Sequence, residues 1–469
     1  MTAFTPRRQR AGGGAAAALT LALLAGCGKK TESLVLVSLT TATPSASASD
    51  VTLTVSPSSC QTPPCPGSVS YTFTVPALSS TPVNLGLYVP ESVTGPVDVK
   101  ASVDAHACAG YDGAGDANIP KPGVSVGASI TLTPALRCNC RELDHLDAAA
   151  PACDLAASPT VSNVYITAVA FSPDGKSFVA VGDDGRATVW RFDGTDLTPE
   201  GHVLPIDGGG HIAFSPDGKL MAAVSWSAPA NPVAIYDVPA FTLRQMLTGT
   251  TDYTVDVGFT PDSQHVIVLQ SDNLGNGSFQ AYSLVNGSMI MGSLGGLDPI
   301  QLAVSKVATS GIQIAVAGAD GRAGVFTYTT SGFTAPNIFR VTSGDTMTTW
   351  TVTFSPDGSL LAAGGEDAAF NFWASPFTAT TMTGAPLTVA PDSGVNGVAF
   401  SPDGEFVGVA AGSVGREVSF WNVGSRTKLA SYTPAYVATS IAFAPDGRSV
   451  AGGELYCGKL FVCSSEMRR

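Results

Sequence analysis

Apolar and polar positions in the second two-thirds of the chain form a repeating phrase. An apolar-rich run ending in Phe, Ile166-Thr167-Ala168-Val169-Ala170-Phe171, leads into Ser172-Pro173-Asp174-Gly175, and a second run, Ser177-Phe178-Val179-Ala180-Val181, follows. Phe-Ser-Pro-Asp-Gly returns at Phe214 to Gly218, Phe354 to Gly358 and Phe400 to Gly404, with looser copies at Phe259 to Ser263 and Phe443 to Gly447. Pro presets φ at the first turn position, Asp bonds its own backbone and Gly takes φ > 0. Each copy therefore predicts strand, tight turn, strand.

The intervals say what the hairpins build. Phe171 to Phe214 is 43 residues, Phe214 to Phe259 is 45, and Phe354 to Phe400 to Phe443 gives 46 and 43. The one long gap, Phe259 to Phe354, is 95; its middle holds Leu302-Ala303-Val304, where the corner has decayed to Ser305-Lys306-Val307. Seven units result. Each of the first six carries a second turn and a strand ending in a large ring: Trp190, Tyr236, Tyr282, Tyr328, Trp373 or Trp421. Four short strands every ~45 residues form a propeller blade, whose sheet must stack on its neighbours to bury both faces.

On these residues the chain resembles the WD-repeat β-propeller family. ITAVAFSPDGKSFVAVGDDGRATVWRFDG (166 to 194) and VNGVAFSPDGEFVGVAAGSVGREVSFWNV (395 to 423) follow that family's pattern across most of a blade. A periplasmic translocation-type propeller is the rival subfamily. The resemblance implies a His, Ser/Thr, Asp and Trp hydrogen-bond set in each blade and a third strand ending in Trp-Asp. Here Arg191, Ala374 and Asn422 follow the three tryptophans, and only His202 stands where the His belongs. A divergent propeller held by apolar packing is expected. The resemblance also implies that the fourth strand of the last unit comes from just before the first, about Cys153 to Ser158.

The front of the chain differs. Arg7, Arg8 and Arg10, then the apolar stretch Ala15 to Leu24, then Leu24-Ala25-Gly26-Cys27, read as an export signal ending in a string that looks like a bacterial lipobox. That implies cleavage before Cys27, acylation (palmitate included) at Cys27, and attachment to the membrane through this lipid alone. Gly28 after the Cys favours the outer membrane or cell surface if the source is Gram-negative. Val51 to Val55, Ser70 to Val75 and Ser129 to Thr133 alternate with period two, so one face of each is buried. The expected organisation is signal peptide 1–26, acylated Cys and tether 27–50, β-sandwich-like domain 51–140, linker 141–153 and seven-bladed propeller 154–469.

Of nine cysteines, removing the acylated one leaves eight, an even number in an exported chain. Disulfides are expected among Cys60, Cys65, Cys108, Cys138, Cys140, Cys153, Cys457 and Cys463. Cys457 and Cys463 lie six residues apart on one strand, ~20 Å, too far to bond each other. At least one should bond upstream, with Cys153 the favoured partner, and so fix the ring's closure.

A net charge of -13 repels nucleic acid on average. The five His form no HExxH, no His pair at ligand spacing and no neighbourhood with a Ser nucleophile elbow of the GxSxG type, and Gly208-Gly209-Gly210 leads a strand rather than a helix, so no catalytic residue, cofactor or metal is assigned. The first strands offer mainly small, apolar groups to a channel: Ala168, Ala170, Ala213, Val257 and Ala399. The turns between second and third strands are acidic, with Asp183, Asp184, Asp272, Asp320, Glu366 and Asp367 expected on one rim. Hairpin chemistry accounts for Asp before Gly; a negative rim recruiting a basic partner or cation is the sharper reading. Trp226, Tyr253 and Trp350 should border the same face as protein hot spots. The expected function is a monomeric, non-catalytic, lipid-anchored scaffold for another envelope protein. The alternative is a propeller enzyme or small-ligand binder using the central channel.

Overall fold

The computed structural model describes residues 33–41, 49–58, 68–75, 82–90, 92–103, 109–122, 124–136, 138–144 and 164–465, the last apart from residue 195 and the short stretches 206–208, 227–232, 248–251, 273–274, 309–310, 344–346, 390–393, 413–414 and 456–458. Cys27, Cys60, Cys65, Cys108, Cys153 and Cys457 lie outside the described residues.

Among the described residues seven strands come first: β1 (Ser33–Thr41), β2 (Ser49–Pro57), β3 (Val69–Val75), β4 (Val83–Val89), β5 (Gly95–Val103), β6 (Ala109–Ile119) and β7 (Ser125–Leu136). They pair in the order β3-β2-β5-β6-β7-β1-β4, with β1 and β7 parallel. Val35, Val37 and Leu39 of β1 join Val51, Leu53, Val97, Val99, Ile130 and Leu132 in one buried cluster. The tether expected over 27–50 is thus corrected: its middle, Ser33–Thr41, is a core strand. Leu34-Val35-Leu36-Val37 is apolar on both faces, so alternation does not betray it, yet only alternate residues are buried.

The repeats form small antiparallel sheets, consistent with a propeller. The first has strands Ile166–Phe171, Ser177–Gly182, Arg186–Phe192 and Leu197–Pro205, and five more repeat the pattern through Thr427–Tyr432. The fourth sheet carries an extra short strand because Gly332–Phe333 and Asn337–Arg340 both pair with Arg322–Thr329. Each inner strand packs on the inner strand of the next sheet, and Ala438–Phe443 of the last packs on Ile166–Phe171 of the first. The apolar clusters sit between sheets. Val179 and Val181 face Met221 and Ala223 of the second sheet, whereas Phe178 and Ala180 face Ala451 and Leu460 of the last. Second strands are therefore buried on both faces, which a solvated hairpin would not permit.

The corners explain the repeated phrase. Ser172 Oγ, buried, donates to Asp174 Oδ1 at 2.7 Å and accepts from Ser177 N at 2.9 Å, while Lys176 N reaches Asp174 Oδ1 at 3.1 Å. The same net recurs at Ser215, Thr260, Ser355 and Ser401. Gly175 takes φ 68°, and at the looser copy Ser263 takes φ 58° without being glycine.

Closure departs from expectation. The last sheet contains Ala438–Phe443, Ser449–Glu454 and Lys459–Ser465, and its fourth strand is β8 (Cys138–Asp144), paired Cys140 to Cys463 and Leu143 to Leu460. This corrects two expectations: Cys153 to Ser158 does not supply the strand, and the linker's first residues belong to the ring. Arg141-Glu142-Leu143-Asp144 reads as solvated linker because of its charges. An outer strand is recruited through its backbone, so those charges do not prevent pairing. A disulfide joins Cys140 to Cys463 across this pair, with Cα atoms 4.0 Å apart, so Cys153 is not the partner of Cys463.

Candidate functional site

The end of the ring opposite the Pro-Asp-Gly corners carries the expected site residues. Inner strands begin there and second strands end there, as the pairings Tyr253 to Ser271 and Thr349 to Gly365 require. Each rim acid has a backbone partner. Asp183 Oδ1 accepts from Tyr165 N at 2.8 Å, Glu366 Oε2 from Thr348 N at 3.1 Å, and Glu454 Oε2 from Tyr436 N at 2.7 Å. These three tie the start of an inner strand to the end of its neighbour in the first, fifth and last sheets. Glu454 escaped the sequence reading because no Asp-Gly turn follows it. Asp184 accepts from Arg186 N, Asp272 from Asn276 N, Asp320 from Arg322 N and Asp367 from Ser343 N. Burial pushes the Asp184 carboxyl above its ordinary pKa. Turn chemistry is thus the first task of this acidic set.

The aromatic candidates fall on separate sheets. Trp226 follows the second strand of the second sheet, 43 % exposed, and its Nε1 donates to the Val255 carbonyl of the third at 2.8 Å. Tyr253 opens that third sheet. Trp350 stands on the fifth and leans on Gly394 beside the sixth, where a Cβ would lie 2.3 Å from the ring. The structure brings Tyr253 near Trp226 through Val255 and leaves Trp350 two sheets away.

Beneath Trp226 lies a pair that sequence reasoning missed. The His211 ring packs 5.3 Å from the Trp226 ring, and its Nδ1 lies 2.9 Å from Asp256 Oδ1. Asp256 is buried; Oδ1 also accepts from Val257 N at 2.7 Å, and Oδ2 from Leu302 N at 2.8 Å. One carboxylate thereby joins three consecutive sheets. Burial pulls the His211 pKa down, but the charge of Asp256 and its hydrogen bond outweigh that and hold it above the ordinary imidazole value. With Nδ1 turned to the carboxylate, the imidazole keeps Nε2 as its second functional atom.

The pair belongs to a ring of bridges. Thr167 Oγ1 donates to the Gly210 carbonyl, Gln301 Oε1 accepts from Val352 N, Thr351 Oγ1 accepts from Val398 N, Asn396 Nδ2 donates to the Ala438 carbonyl, and Thr439 Oγ1 donates to the Ile166 carbonyl. All stand three or four residues before the inner-strand Phe or its counterpart, beside a register shift in most inner strands. A bulge there re-aims one side chain per strand across the seam. The repeat register was the available signal: His211 and Asp256 each precede their Phe by three. Of the residues expected to face a channel, Ala168 and Val257 instead lie in the apolar clusters between sheets.

Two rings keep part of the expected hydrogen-bond set. Trp190 Nε1 donates to Thr188 Oγ1 at 3.0 Å and Trp421 Nε1 to Ser419 Oγ at 2.9 Å, so packing is not purely apolar. His202 is exposed on its outer strand near the Phe241 ring.

Comparison with known proteins agrees with this geometry. The family model "WD domain, G-beta repeat" matches residues 158–191, 338–373 and 384–422. These stretches of the chain are similar to WD repeats. The second and third run from the outer strand of one sheet through the third strand of the next, so the WD repeat straddles the seam that the bridges tie. A WD repeat and SOCS box-containing protein 1 from Danio rerio is 27% identical over 103 residues, 20% of this chain and 24% of that protein. The chain thus spans about a quarter of that relative's length.

Proposed function

We propose that this chain is an exported protein, acylated at Cys27, whose seven repeat sheets are the blades of a closed propeller behind a β-sandwich. Its role is that of a monomeric, non-catalytic scaffold in the cell envelope, at the outer membrane if the source is Gram-negative. WD repeats support protein partners. The observation that carries the reading is Trp226: a large ring, exposed yet pinned by its Nε1 and backed by His211, supplies contact area with little ordering cost. Tyr253 extends this patch and Trp350 marks a second one. Crosslinking in the native envelope tests it. Trp226→Ala should abolish a crosslinked partner that wild type retains; identical partner profiles for wild type, Trp226→Ala and Trp350→Ala would overturn the scaffold. Palmitate labelling lost in Cys27→Ser checks the anchor.

One observation favours the alternative of a channel-mouth ligand or enzyme site: Asp256 orients His211 in the manner of an acid–base pair. A small-molecule thermal-shift screen with wild type and His211→Gln separates the two. A ligand whose stabilisation disappears in His211→Gln favours this second reading.

A further inference from the structure

The third strand of each of the first six repeat sheets buries a large ring at one register. Trp190 stands opposite Phe178, Tyr236 opposite Met221, Tyr282 opposite Val266, Phe326 opposite Ile314, Trp373 opposite Leu361 and Trp421 opposite Val407. Every one points into the seam with the preceding sheet. In the last sheet the corresponding residue, opposite Val450, is Cys463. It is fully buried against Ala410, Val418, Phe420 and Ile441, and its sulfur is bonded to Cys140 of β8. At the register where six seams carry an aromatic side chain, the seventh carries a disulfide, beside the buried Phe420 and Phe461. The same bond holds the one outer strand that comes from the far side of the chain, 323 residues away.

We propose that Cys140 and Cys463 form a redox latch, so that the ring closes as an oxidation-dependent last step and opens at this seam alone when the bond is reduced. Oxidation consumes a disulfide oxidant, RSSR, of protein or small-molecule origin. One cysteine thiolate attacks RSSR and releases the first RSH; the second cysteine then attacks the mixed disulfide and releases the other RSH. Two electrons pass from the cysteines to the oxidant, whose two sulfurs leave carrying the cysteines' protons. After reduction this register position holds a small thiol where the other seams hold a ring, and β8 is held by strand pairing without the covalent link. A charged strand contributed across so long a loop pays the full entropy of closure each time it docks. Reduction should therefore free this strand before any other.

The test is hydrogen exchange on the full chain, oxidised, reduced with a phosphine, and as Cys140→Ala/Cys463→Ala, which isolates this bond from the other cysteines. The oxidised chain should yield a linked peptide containing Cys140 and Cys463. Reduction and the double substitution should each lower protection about tenfold or more in 138–144 and 459–465, leaving the second to fifth sheets unchanged. Cys140→Ala/Cys463→Tyr restores the ring of the other seams, and its protection at 459–465 should be indifferent to reductant. The latch is overturned by unchanged protection at both strands on reduction, by equal loss across all seven sheets, or by a Cys463 linked elsewhere. None of these outcomes bears on whether Trp226 recruits a partner, so the two proposals fail separately.

Discussion

Replacing Asp256 with Ala removes the one carboxylate that spans three sheets. Its partners are the His211 Nδ1, the Val257 amide and the buried Leu302 amide, at 2.9, 2.7 and 2.8 Å. Leaving a buried donor unsatisfied costs ~1–3 kcal/mol, and breaking a buried ion pair from one side costs ~3–5 kcal/mol. His211 can shed its proton once the carboxylate is gone, which offsets part of the loss, so about 3 kcal/mol is expected. The pH dependence gives a sharper check. The His211 pKa is raised above 6.5 in the folded chain, so its contribution is fully present below that value and is lost as pH rises through the folded pKa. The gap between wild type and Asp256→Ala should therefore narrow at alkaline pH, although the neutral imidazole still donates from Nδ1 and keeps part of it. His211→Gln should remove the pH-dependent part. Urea unfolding followed by circular dichroism over a pH series measures all three proteins. A cost below about 1 kcal/mol near pH 6, or a gap that widens with pH, would refute the reasoning.

Ser401→Ala takes away a fully buried hydroxyl that donates to Asp403 and accepts from Phe406 N, and should cost ~1–2 kcal/mol in chemical denaturation. Gly394→Ala forces a methyl to 2.3 Å from the Trp350 ring; it should destabilise by ~1–3 kcal/mol and shift Trp350 fluorescence, with Trp350→Phe as the blank. Hydrogen bonds from Ser172 and Ser355 hold the carboxyls of Asp174 and Asp357 below their ordinary 3.8. Their stabilisation is present above that value and is lost as pH falls through the folded pKa, so the melting-temperature gap between wild type and Asp357→Asn should close in acid.

Much of the architecture was legible in the residues themselves. The corner phrase is local chemistry: Pro, Asp and Gly specify the turn within four residues, and Ser172 or its counterparts complete the net. The period of about 45 residues then sets where each sheet begins, because each hairpin needs a neighbour to cover it. The site was less legible. Asp183 and Glu366 could be placed on the rim, but their bonds to Tyr165 N and Thr348 N depend on how two strands meet. His211 and Asp256 are 45 residues apart and became partners only when two inner strands were set side by side.

Closure was decided by tertiary structure for a related reason. A backbone strand can be recruited from any segment that reaches the open edge, and residue type constrains an outer strand weakly; β8 carries a charge run and still pairs along Lys459–Ser465. The six-residue spacing of Cys457 and Cys463 in the sequence led to the expectation of an upstream partner, whereas Cys140 as the partner of Cys463 follows from the register of two strands over three hundred residues apart. Local turn chemistry and periodicity are written residue by residue. The choice among equivalent partners across a ring is made by geometry, which appears once the sheets have stacked.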